Sequence, residues 1–288
     1  MPNLRLRGAT LPATLLFFCM KTILVATDFS AEATYALHVA RQLAQHTGAA
    51  LTLLHVVEPP GATAPITAEA LVAAREQLAG LRLSTLAAEP GMSVRTVIET
   101  GNADDCIRAV AATQGADLVV VGTQNHGVVK RLVLGTHTER LVRLASRPVL
   151  AVKHPAPHFN VRRLIFPSDF SPEAENAAAG LHRVLALFPD AALHLLHIVA
   201  PAARRGDIQE RISSFIQRHG LARATPAVVE APSRAVGIRR FAESTAADLV
   251  LLATHGRTGF SRLLQASVAE EVAAKALPPV LTFHFEQP

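Results

Sequence analysis

Tryptophan is missing from this 288-residue chain, tyrosine occurs once and aromatic residues together make up 5%. So few rings leave nothing to interleave with basic residues on a base-stacking surface. The basic pairs Arg162-Arg163, Arg204-Arg205 and Arg239-Arg240 stand scattered. With a formal charge of only +5, they read as a solvated surface and not as a nucleic-acid partner site. Cysteine is also scarce: Cys19 and Cys106 form no Cys-x-x-Cys pair and no Cys/His cluster at metal spacing. That excludes a disulfide framework and a zinc centre, and it fits a reducing, cytoplasmic setting. No apolar run is long enough to span a bilayer, so no membrane partner is expected. Leu11–Cys19, behind Arg5 and Arg7, resembles a short signal-peptide core, but no small-x-small cleavage site follows it. Residues 1–19 are therefore read as an N-terminal extension, with Met20 the natural start. Intact mass of the protein made from its own gene checks this.

Motifs of dedicated enzymes are missing too. There is no Gly-x-Ser-x-Gly elbow, Walker loop, Gly-x-Gly-x-x-Gly fingerprint, Ser-Gly-Gly loop or His-x-Gly-His. Catalytic residues are accordingly expected to be none. Thirteen histidines invite a metal reading, but His194 and His197, three apart on a predicted strand, face opposite sides. Cys106 stands beside Asp104 and Asp105 and reads as a buried small hydrophobe with a raised pKa.

What is present is an apolar chain, 50% hydrophobic and 18% charged, that repeats itself. Thr22-Ile23-Leu24-Val25-Ala26-Thr27-Asp28-Phe29-Ser30 returns as Arg163-Leu164-Ile165-Phe166-Pro167-Ser168-Asp169-Phe170-Ser171. Leu54-His55-Val56 returns as Leu196-His197-Ile198, Ala116-Asp117-Leu118 as Ala247-Asp248-Leu249, and Pro148-Val149-Leu150 as Pro279-Val280-Leu281. The order is kept throughout. Domains are therefore expected at 20–153 and 161–288, joined by a proline-bearing linker at 154–160. Strands are expected near 22–27, 51–57, 94–98, 117–121 and 148–152, with helices near 31–47, 67–89, 103–114 and 136–145. The second half repeats the strands near 163–167, 192–199, 226–230, 248–252 and 279–283. Runs such as Leu118-Val119-Val120-Val121 suit a sheet covered on both faces. The fold class is α/β: two tandem doubly wound, five-stranded parallel-sheet domains of Rossmann-like type.

Ligands of such sheets sit beyond the carboxyl ends of the strands, where the strand order reverses. Asp28 follows the first strand. It either caps the next helix together with Ser30 or presents a carboxylate to a base, a ribose or a metal ion. After the fourth strand come Gly122-Thr123-Gln124-Asn125-His126-Gly127 and then Gly135-Thr136. Glycines let a backbone approach a ligand closely, and a helix start favours phosphate. The alternative is that these glycines only make turns.

At these residues the chain resembles the universal stress protein family. That family carries Gly-x2-Gly-x9-Gly-Ser/Thr after its fourth strand, with an Asp after the first and Leu-His-Val in the second. Gly122, Asn125, Gly135 and Thr136 fall on this frame, with Asn in place of the middle Gly. In the second half Ala253, Gly256, Ala266 and Ser267 fall on it, so two of three glycines have become Ala. The resemblance implies an adenine nucleotide as partner and ATP, alone or with Mg2+, as cofactor. The first-half site would be Ala26, Asp28, Val56, Val121, Gly122, Asn125, Gly135 and Thr136. A weak or lost second-half site would be Pro167, Asp169, Ile198, Leu252, Ala253, Gly256, Ala266 and Ser267. It also implies that the two halves pair through their last strands as a pseudo-dimer, with a homodimer of two chains as a further expectation. The function implied is a nucleotide-binding stress-response protein. The alternative is a tandem scaffold of the same fold that acts through protein contacts without nucleotide.

Overall fold

A computed structural model describes residues 20–61, 65–123, 147–201, 206–255 and 278–285, with Val268 and Val272. In the first half β1 (Thr22–Ala26), α1 (Ala31–Thr47), β2 (Ala50–Val57) and α2 (Ala68–Ala88) lead to β3 (Val94–Thr100), α3 (Ala103–Thr113), β4 (Leu118–Gly122) and β5 (Val149–Val152). The second half opens with β6 (Arg163–Pro167), a 3-10 turn (Pro172–Ala177), α4 (Ala178–Leu187) and β7 (Ala192–Val199). It closes with α5 (Gly206–Arg218), β8 (Thr225–Glu230), α6 (Arg234–Ser244), β9 (Leu249–His255) and β10 (Val280–Phe285). The helix expected near 136–145 lies outside the described residues.

Each half has strand order 3-2-1-4-5 with parallel neighbours, the doubly wound arrangement read from the sequence. The two five-stranded sheets are continuous. β5 and β10 pair antiparallel, with Leu150 opposite Leu281, so ten strands form one sheet. An antiparallel join of the last strands covers the edge that each half would otherwise leave unpaired.

Apolar side chains on both faces hold this sheet. α1 and α2 cover one face through Leu37, Leu43 and Leu78, and α3 covers the other through Ile107 and Val110. α6 takes the place of α3 in the second half, through Ile238 and Ala242. Burying one such aliphatic side chain stabilises by about 1.5–3 kcal/mol, so the alternating pattern is enough to select these elements. The recurring Ala-Asp-Leu has a separate cause. Asp117 Oδ2 accepts from the N–H groups of Lys21 and Thr22, at 2.7 and 3.0 Å. Asp248 Oδ2 does the same for Arg162 and Arg163, at 3.0 and 2.9 Å. Each carboxylate ties the start of a fourth strand to the start of a first.

The linker is held to the first half. Gln42, on α1, donates to the carbonyl of Ala156 at 3.1 Å and accepts from the N–H of Phe159 at 2.7 Å.

Candidate functional site

Strand order reverses between β1 and β4 and again between β6 and β9, and the expected site residues gather at the carboxyl ends of these strands. Ala26 ends β1 opposite Val121 of β4. Ala26, Val56 and Val121 lie together on the sheet face that carries α3. Gly122 is the last residue of β4, and Asp28 stands in the turn after β1. In the second half Pro167 ends β6, Asp169 follows it, and Ile198 and Leu252 share the face that carries α6. Ala253 lies within β9. Asn125, Gly135, Thr136, Gly256, Ala266 and Ser267 lie outside the described residues.

The turn after each first strand is built the same way twice. Thr27 Oγ1 accepts from the N–H of Phe29, and Asp28 Oδ1 accepts from the N–H of Ser30, both at 3.0 Å. Ser168 and Asp169 repeat these bonds to Phe170 and Ser171, at 3.1 and 3.0 Å. The side chains thereby satisfy backbone donors that the strand has released and the helix has not yet taken up. They also hold Phe29 and Phe170 in the left-handed region, at φ 62° and 51°, which costs a residue with a Cβ of order 1 kcal/mol.

A histidine braces each turn. Nδ1 of His55 donates to the carbonyl of Thr27 at 2.8 Å, and Nδ1 of His197 to that of Ser168 at 2.9 Å. This bond places the proton of the neutral ring on Nδ1. The His55 and Phe29 ring centroids are 4.4 Å apart, those of His197 and Phe170 6.3 Å. The Leu-His-Val/Ile signature therefore has a structural cause that the sequence reading left unexplained. The signal was available: His recurs wherever Thr/Ser-Asp-Phe-Ser recurs. His194, by contrast, packs edge-on against Phe241, at 5.7 Å between centroids.

Only one oxygen of Asp28 is used by the turn. Both roles considered for Asp28 are thus compatible, since Oδ2 keeps its acceptor capacity while Ser30 is the N-cap of α1.

Gly122 also has a packing reason to be glycine. A Cβ there would stand 2.4–2.5 Å from the backbone of Glu32 and Ala33. The first turn of α1 occupies the space that the missing side chain leaves. Ala253 stands at the matching position, and there the helix does not begin in the same way. Ser30 accepts from the N–H of Ala33 and α1 starts at Ala31. Ser171 makes no such bond, its Oγ is buried without a partner among the described residues, and a 3-10 turn precedes α4.

Two further substitutions change the second cleft. The N–H of Thr27 bonds to β2 and that of Ser168 to β7, so alternation points the nitrogen of Ala26 toward β4 and that of Pro167 toward β9. Proline has no hydrogen to donate. The β6–β9 ladder ends at Ile165 opposite Val250, whereas the β1–β4 ladder runs on to Ala26 opposite Val121. Ile198 replaces Val56, and α6 lies against it: a Cβ on Gly237 would meet Ile198 at 2.7 Å.

Charge differs as well. Glu58 Oε1 accepts from the N–H of Ala103 at 3.0 Å, so a carboxylate already occupies the start of α3. The thiol of Cys106 is pushed up by burial first, then by Glu99, Asp105 and Glu58. It is half-buried, with Sγ 3.7 Å from the carbonyl of Thr100, and not the fully buried hydrophobe expected. Burial holds the His197 imidazole below the usual histidine range. The bond to Ser168 opposes this, Arg211 adds to it, and Asp169 and Arg234 then act in opposite directions. Among the described residues no cluster of His, Cys, Asp or Glu has the geometry of a metal site. No described helix is long and apolar enough to cross a membrane.

The universal stress protein family profile matches residues 20–153 and again 160–284. The chain belongs to the universal stress protein family. A universal stress protein of Mycolicibacterium smegmatis is 27% identical, over 90% of this chain and 95% of its own length. One of Thermus aquaticus is 35% identical over 46% of this chain and 98% of its own length, which is one domain against our two. Among solved structures, a universal stress protein from Archaeoglobus fulgidus superposes with TM-score 0.71 at 18% identity, covering 94% of this chain and 98% of that one. At that identity the likeness is one of fold.

Proposed function

We propose that this universal stress protein binds an adenine nucleotide, ATP alone or with Mg2+, at the first-half switch point, and acts through occupancy and not through turnover. The observation that carries the reading is the first-half cleft itself. Ala26 and Val56 are part-exposed apolar residues at its floor, and Asp28 keeps one oxygen for a ribose hydroxyl or base amino group. The start of α3, capped by Glu58, is unsuited to phosphate. The phosphates therefore belong on the loop that leaves β4, along Gly122, Asn125, Gly135 and Thr136. In the second half Pro167, Ile198 and Ala253 are all bulkier than their counterparts, and the cleft serves as a structural partner. A regulatory protein of this kind would work in the cytoplasm.

Mass spectrometry of the purified chain should find adenine nucleotide, and calorimetric titration with Mg-ATP should give one site per chain. Gly135→Val should weaken it by at least tenfold, about 1.4 kcal/mol. Unchanged affinity would put the phosphates elsewhere. No nucleotide and no heat in either experiment would favour the scaffold reading, for which the bulkier residues Pro167, Ile198 and Ala253 of the second cleft are the specific support.

A further inference from the structure

The ten-stranded sheet has two outer edges, β3 and β8, and they are not alike. At β3 the N–H of Leu51 bonds to the carbonyl of Ser93, and the N–H of Gly101 to that of Val57. Odd-numbered residues between these points therefore face β2, while Val94, Thr96, Ile98 and Thr100 turn their N–H and C=O groups outward. Nε of Arg82, on α2, donates to the carbonyl of Val94 at 3.0 Å, and Sγ of Cys106 stands 3.7 Å from that of Thr100. The N–H and C=O groups of Thr96 and Ile98 have no partner among the described residues. At β8 the alternation is the same, because the N–H of Ala231 bonds to the carbonyl of Val199. Pro226 holds the place of Thr96 there, since Leu195 pairs with Pro226 as Leu53 pairs with Thr96. A proline with no hydrogen to donate blunts an edge. β3 has no proline.

The open edge is complementary to itself. Arg95 and Glu99 are exposed, stand on one face of the strand on either side of Val97, and have no ion-pair partner among the described residues. Two copies of β3 laid antiparallel about a two-fold axis at Val97 set Arg95 of each opposite Glu99 of the other. These are non-hydrogen-bonded pairs, in which facing side chains come closest. The same register sets Thr96 opposite Ile98, so the free N–H and C=O groups of both residues bond to each other. Moving the axis to Thr96 or Ile98 would oppose Arg95 to Val97 or Gly101 and lose both ion pairs. α2 packs on β3 and β2 and leaves Val72 49% and Leu83 64% exposed; the axis at Val97 sets this helix beside its copy on one face of the sheet. We infer that the chain forms a closed homodimer in which β3 pairs antiparallel with β3 of a second copy, Arg95 against Glu99. Such a join consumes the one open edge, and Pro226 keeps β8 from extending the sheet further. The surface shares no residue with the nucleotide cleft, so the two readings stand or fall separately.

The test is sedimentation equilibrium of the full chain, which should give twice the chain mass. Thr96→Pro puts at β3 the residue that β8 already carries. It leaves the bonds to β2 in place and should weaken the dimer by about tenfold or more. Arg95→Glu sets like charges opposite each other and should weaken it as well, as should Glu99→Arg. Arg95→Glu/Glu99→Arg makes the pairs opposite in sign again and should restore the dimer. Circular dichroism checks the fold of each variant, and if Thr96→Pro unfolds, the charge reversals carry the test. A wild-type chain that stays monomeric over the whole concentration range would overturn the proposal. So would a dimer that the single reversals leave intact, or one that the double reversal fails to restore. Assemblies larger than a dimer would mean contact between unlike surfaces and would overturn it too.

Discussion

The two halves make the same turn after their first strand and differ in what surrounds it. Thr27-Asp28-Phe29-Ser30 and Ser168-Asp169-Phe170-Ser171 share their side-chain bonds, their left-handed Phe and their histidine brace. At the neighbouring positions each half follows its own course. Gly122 admits an α-helical turn, whereas in the second half, where Ala253 holds the matching position, a 3-10 turn precedes α4. Ala26 completes a ladder that Pro167 cuts short. Duplication thus preserved what builds the scaffold and relaxed what shapes the cleft. A turn satisfied by its own side chains survives independently of any ligand, so its presence in both halves is not evidence of two sites.

The sharpest way to break this comparison is at Gly122. Gly122→Val drives a side chain into the backbone of Glu32 and Ala33, and backbone cannot swing aside as a side-chain tip can. We expect a loss of about 3 kcal/mol, at the upper end of overpacking costs, read by urea denaturation. Ala253→Gly should change stability by about 1 kcal/mol or less, the backbone-entropy cost of glycine. Comparable losses at both positions would mean that the two helix starts are equivalent after all.

Much of this was legible in the sequence, for stated reasons. The strands could be read because both sheet faces are covered, so strands such as Leu118–Gly122 are apolar throughout. The ends of α1 could be read because Ser30 and Gly48 are the residue types that cap, and Gly48 adopts φ 75°. The role of Gly122 was not legible, because a missing Cβ gives no direction. It fits a phosphate or a helix equally well, and only the fold shows that α1 lies beside it. Asp117 and Asp248 repeat visibly, but only the adjacency of β1 and β4 shows what they hold.

The ladder offers the next test. Ala26→Pro removes a donor directed at β4 and should cost about 1–3 kcal/mol by leaving a buried acceptor without its partner. Pro167→Ala supplies that donor in the second half. It also frees the unfolded chain, at a cost of about 0.4–1 kcal/mol, so its net effect should stay below about 1 kcal/mol. The helix caps should differ by less. Ser30→Ala removes the 3.2 Å bond to Ala33 and should cost about 1 kcal/mol. Ser171→Ala removes a buried hydroxyl with no hydrogen-bond partner among the described residues and should be neutral or slightly stabilising.

The smallest expected effect is one of pH, and it falls on histidines of the second half. Burial favours the neutral ring of His197, and burial likewise lowers His182 and His194, all three in the second half. Each therefore gains its proton more readily when the chain is unfolded. Their contribution to stability is complete above the unfolded value near 6.5 and is lost as pH falls from there toward the lower folded values. We expect the melting temperature to decline as acid is added below that point, and His197→Asn to make the decline shallower. The Asn side chain can still donate to Ser168, so the brace is retained while the titration is removed. A decline of unchanged steepness in His197→Asn would assign the acid sensitivity to other groups.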